Sequence, residues 1–113
     1  MMTVVETHEG VGVMRLVGRF EAGDASGLMQ RCLDMWRGGC PKLVLNLSAV
    51  TFIASSGIGT LLALREALDD RGGALRLAAL SDPVASVIGL LNLTAFLPID
   101  QTEDEAIATL GGE

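Results

Sequence analysis

The stretch "LVLNLSAVTFIASSGIGTLLAL", Leu43 to Leu64, decides the fold. It carries no charged residue, and by length alone it could cross a bilayer. Asn46, Ser48, Thr51, Ser55 and Ser56 interrupt it, and the Ser55-Ser56-Gly57 triplet breaks its middle. A buried strand, a turn and a half-buried helix produce the same profile, so the stretch is read as strand–turn–helix, without direct insertion into a membrane. "KLVLNL" has the continuous apolar character of an interior strand covered on both faces. Beyond the turn, Leu61, Leu64 and Leu68 fall on one helical stripe, and Gly72-Gly73 close the helix. Leu45, Leu47 and Phe52 are expected to be buried against that stripe.

Working outward, "TVVETHE" and "VGVMRLVG" flank Gly10 as a β-hairpin with a loose turn. Asp24 can cap a helix whose positions Leu28, Cys32, Met35 and Trp36 share one side, and Gly38-Gly39 end it. "ALRLAAL" reads as a further strand. Ser81 or Asp82 opens a third helix with Pro83 in its first turn, where a missing N–H costs nothing. "FLPI" is a short run before a last helix, "TEDEAIATLGG", whose acidic first turn suits the helix dipole. Strands and helices alternate after the hairpin. The fold class is therefore α/β: a mixed sheet, hairpin first and then parallel crossovers, with helices packed mainly on one face. With 113 residues and no linker or repeat, residues 1–113 read as a single domain.

Composition narrows the chemistry. Half of the residues are hydrophobic and only 4% are aromatic, so the core is aliphatic. The net charge of −6 and a single lysine, Lys42, argue against a nucleic-acid partner. "MMTVVETHEG" lacks a basic segment followed by an apolar one, and a cytoplasmic protein is expected. Cys32 and Cys40 lack CxxC spacing and His8 is the only histidine, which leaves no metal site and two reduced thiols. No GxSxG, SxxK, P-loop or GxGxxG occurs. Neither a catalytic residue nor a cofactor is assigned, and the chain is expected not to be an enzyme.

The paired hydroxyls remain. A hydroxyl just before a helix accepts a hydrogen bond from a free first-turn amide, so a cap is one role. The same place also stabilises a phosphate, through free N–H groups and the positive end of the dipole. Ser55 is expected to sit exposed at the N-terminus of a helix that starts near Gly57, with Ser56 as the cap. Ile58 and Leu62 fall on the flank of the stripe and would present apolar surface beside the turn, rimmed by Arg65 and Asp69.

The segment "LVLNLSAVTFIASSGIGTLLALREAL" resembles the signature of STAS domains, the family of anti-sigma factor antagonists: an apolar strand, Asp-Ser-Ser/Thr-Gly-Leu/Ile-Gly, then a Leu-rich helix. "LVGRFEAGDASGL" is similar to the family's Gly-x-Leu-Asp stretch, with Glu21 where Asp is usual. "LSDPVASVIGLLNLTAFLPI" is similar to its Pro-led third helix and closing strand, with Ala95 where Gly is common, and "DEAIATL" to its last helix. The resemblance implies a phosphoryl acceptor at Ser55 and a contact surface of Ser55, Ser56, Gly57, Ile58 and Leu62. It implies a regulatory module that binds an anti-sigma factor with serine kinase activity and is released by phosphorylation. Two other branches carry the same pattern: a cytosolic subunit that binds the ATPase of a lipid-transport ABC system, and a stressosome-like scaffold. The family's Asp is Ala54 here, which removes a carboxylate beside the acceptor.

Overall fold

A computed structural model describes residues 1–111; the Gly112 end of the last expected helix lies outside the described residues. β1 (Met2–His8) and β2 (Val11–Phe20) form the hairpin, followed by α1 (Ala25–Arg37) and β3 (Lys42–Ile53). Then come α2 (Ser55–Asp70), β4 (Ala74–Ala78), α3 (Asp82–Leu90), β5 (Ile99–Asp100) and α4 (Glu103–Gly111). The sheet order is β1-β2-β3-β4-β5, with β1 antiparallel to β2 and every other pair parallel. The hairpin turn is tighter than expected. His8 pairs with Val11 across the two residues Glu9 and Gly10, both at positive φ, as a two-residue turn between right-twisted strands requires.

The period-2 pattern of the strands divides the core in two. Leu43, Leu45 and Leu47 of β3, Leu75 and Leu77 of β4, and Met14 and Leu16 of β2 meet Leu28 and Cys32 of α1, Leu61, Leu64 and Leu68 of α2, and Val84 and Ile88 of α3. On the opposite side Val11, Val13, Val44 and Ala78 meet Ala106 and Leu110 of α4, with Ala74 and Ile107 packed at the margin. Three helices thus share one face. The burial that holds α4 is small, and polar fasteners supplement it. Arg15 donates from Nε and Nη2 to the two carboxylate oxygens of Glu103 (2.9 and 2.6 Å), and Asn46 Nδ2 donates to the same carboxylate at 2.7 Å. Lys42 Nζ donates to the Leu110 carbonyl at 2.8 Å. Both cysteines are free, and burial pushes the Cys32 thiol up to about 12, so it stays protonated at neutral pH.

Phe52 departs from the expected packing. β3 carries two irregularities against β2: Arg15 and Val17 face Asn46 and Ala49, and Gly18 and Arg19 face Val50 and Phe52. Each inserts one residue into β3 and flips the side-chain alternation. Val50 and Ile53 therefore point into the core, and Phe52 is turned out, 38% exposed, with the Arg19 guanidinium 4.2 Å above its ring.

Candidate functional site

The C-terminal ends of β2 and β3 set the stage. The Ala54 amide donates to the Phe20 carbonyl at 2.9 Å, which ties the start of α2 to the end of β2. The neighbours of Phe20, Arg19 and Glu21, are thereby brought to the same end of the sheet as Ser55. Arg19 Nη2 lies 3.5 Å from Glu21 Oε1 and stacks on Phe52. From sequence, Glu21 was noted only as standing where the family has Asp and Phe52 only as an expected core residue; Arg19 and Phe20 were not singled out. Their only signal is position, at strand ends beside the serine pair.

Ala54 is the N-cap of α2, extended at φ −75° and ψ 157°, and no side chain caps the helix. Its carbonyl already accepts from the amides of Gly57 (2.8 Å) and Ile58 (3.3 Å). The helix therefore begins at Ser55, two residues earlier than expected. Ser56 is not the cap: it lies inside the first turn, and its carbonyl accepts from Thr60 Oγ1 at 2.9 Å. Ser55 and Ser56 are both exposed, and as first-turn residues their amides have no carbonyl one turn back to bond. The Ser55 hydroxyl thus stands at the positive end of a helix that runs to Asp70.

The other expected contact residues divide. Gly57 is buried, and a Cβ there would come within 2.9 Å of Ile53 Cγ1 and 3.1 Å of the Phe20 ring, so its place is a packing requirement. Ile58 is 2% exposed and belongs to the core, contrary to the expected surface position. The buried arc of α2, which takes in Gly57, Ile58, Thr60, Leu61, Leu64 and Leu68, is wider than one stripe. Leu62 is half-buried, beside Phe96, Arg65 and Asp69. The surface beside Ser55 thus keeps Leu62 and loses Ile58. Among the described residues no cluster of histidine, cysteine or carboxylates could hold a metal ion. None of the helices described is long and apolar enough to cross a membrane.

Comparison with known proteins places this geometry. The STAS domain family profile matches residues 2–106. An anti-sigma F factor antagonist of Paenibacillus polymyxa is 28% identical over 108 residues, covering 94% of this chain and 92% of that protein. The crystal structure of an anti-sigma factor antagonist from Mycobacterium paratuberculosis superposes with a TM-score of 0.83 at 30% identity, over 96% of this chain and 92% of the other. The Bacillus cell-fate determinant SpoIIAA, in its phosphorylated form, has the same fold at a TM-score of 0.72 and 23% identity, covering 96% and 98% of the two chains. With the profile spanning nearly every strand and helix, and the Ser-Ser-Gly turn at the head of α2, the chain belongs to the STAS domain family.

Proposed function

We propose that this chain is an anti-sigma factor antagonist: a regulatory binding module, not an enzyme, that acts in the cytoplasm as a single domain. It binds an anti-sigma factor with serine kinase activity and lets go when Ser55 is phosphorylated. One observation carries the reading: Ser55 is exposed as the first residue of α2, at a helix end that no side chain caps. A phosphate added there brings about −1.5 to −2 charges to a site where amides and the dipole favour an anion. With alanine at position 54 it meets no carboxylate from the preceding residue. The helix therefore tolerates the group, while an apolar partner surface pressed against the turn does not. The antagonist names of the relatives at 28% and 30% identity favour this reading over a transporter ATPase or a scaffold as partner.

The test is phosphorylation in vitro by the candidate anti-sigma kinase, read by intact mass and then by site. Wild type gains one phosphate at Ser55, and Ser55→Ala gains none yet still binds. Ser55→Asp stays folded, because a carboxylate at a helix N-terminus is worth ~0.3–1 kcal/mol. It loses the partner by ~10²-fold or more, since an unpaired charge is forced into the contact. Phosphate on another residue, or tight binding by Ser55→Asp, rejects the switch.

A further inference from the structure

Ser55, Gly59, Leu62, Glu66 and Asp70 recur every three or four residues and so form one outward stripe of α2. Gly59 is its anomaly. It is exposed, and a Cβ built on it would meet nothing within 4 Å, whereas packing accounts for Gly57. An exposed glycine inside a helix weakens the helix relative to alanine, so folding gives no reason for it. What glycine does provide is close approach from outside. One turn further on, Leu62 forms a wall of a depression of ~370 Å³ with Arg65, Glu66, Asp69, Asp70 and Phe96. Phe96 is 59% exposed there, and its carbonyl accepts from Arg65 Nη1. Arg65 is also engaged by Asp69, at 3.7 Å. Glu66 and Asp70 have no ion pair among the described residues, so the rim presents uncompensated negative charge.

We propose that this stripe seats a basic amphipathic helix of the partner protein. The helix crosses α2 at Gly59, sets an apolar side chain between Leu62 and Phe96, and lays lysine or arginine over Glu66 and Asp70. A gap in the ridge of one helix is where a second helix packs most closely, which argues for a helical occupant. The acidic rim argues for a basic one. The proposal rests on the binding-module reading above and adds the chemistry of what is bound. Its test involves no phosphate, so its failure and that of the Ser55 switch are separable.

The full chain, labelled with nitrogen-15, is titrated with an amphipathic helical peptide of leucine, alanine and lysine, and with a twin carrying glutamate in place of lysine. The lysine peptide should shift the amides of residues 59–70 and 94–97 saturably, and bind about tenfold tighter than its twin. Glu66→Lys combined with Asp70→Lys should reverse that order. Gly59→Ala should raise the melting temperature while weakening the lysine peptide by about tenfold. Equal binding of the twins, an unreversed preference, shifts confined to other segments, or no saturable shift would each overturn the proposal.

Discussion

Ala54 shows how much one side chain decides. It occupies the N-cap of α2 with the backbone already extended, yet it offers no acceptor to the first-turn amides. Ala54→Asp supplies one and should raise stability by ~0.5–2 kcal/mol in urea unfolding followed by the fluorescence of Trp36, the only tryptophan. No gain would mean that the amides an N-cap side chain reaches, those of Ser56 and Gly57, are not open to a carboxylate. The serine pair was legible in sequence as the head of a helix, but its division of labour was not. Ser56 looked like the cap because the helix was expected to start near Gly57, immediately after it. The helix start is instead fixed by a long-range bond, Ala54 N–H to Phe20 O, which no local pattern records. Gly57 likewise looked like a turn glycine. Its neighbours Ile53 and Phe20, brought together by the sheet, make it a packing glycine.

Among the elements, α2 was the most readable. Leu61, Leu64 and Leu68 repeat at helical period, and all three are fully buried. Leu64→Ala should therefore cost ~2–5 kcal/mol through the cavity it leaves, measured by the same urea titration; a loss below ~0.5 kcal/mol would contradict the packing of that helix. The flank was less readable. Ile58 was placed outside by the period, and it is inside, part of the larger core, because α2 packs on α1 and on the short helical turn Ala22–Asp24 as well as on the sheet. β3 was legible as an interior strand up to Leu47. Beyond it the first inserted residue turns Val50 inward and the second restores the original phase at Ile53, and a bulge is a property of a pair of strands that one strand does not announce. Phe52 lies an odd number of residues from Leu45 and Leu47, so with the phase restored it faces away from them, and its apolar character alone had suggested burial.

For the whole molecule, the asymmetry of the two sheet faces governs the response to acid. α4 alone covers the second face, and Glu103 is its main polar fastener. The Arg15 hydrogen bonds hold the Glu103 carboxyl below the usual carboxylate range; the Asn46 bond adds to this, and burial opposes it. A folded value below the unfolded one, ~4.3, means that the contribution is complete above that pH and is lost as pH falls through the lower folded value. Glu103→Gln should lower stability at neutral pH and flatten its decline below pH ~4, as read from urea midpoints across a pH series. An unchanged acid limb would remove Glu103 as the fastener. The strand order carries a different kind of consequence. Because the strands lie side by side in the order in which they occur in the chain, each one made finds its neighbour already in place. A chain growing from its N-terminus has β1, β2, β3, α1 and α2 available by Asp70, and so most of the larger core, before β4 exists. Only α4 must travel back, to the face that β2, β3 and β4 have by then completed. The molecule can be assembled by accretion from one edge, with the docking of its last helix as the closing event.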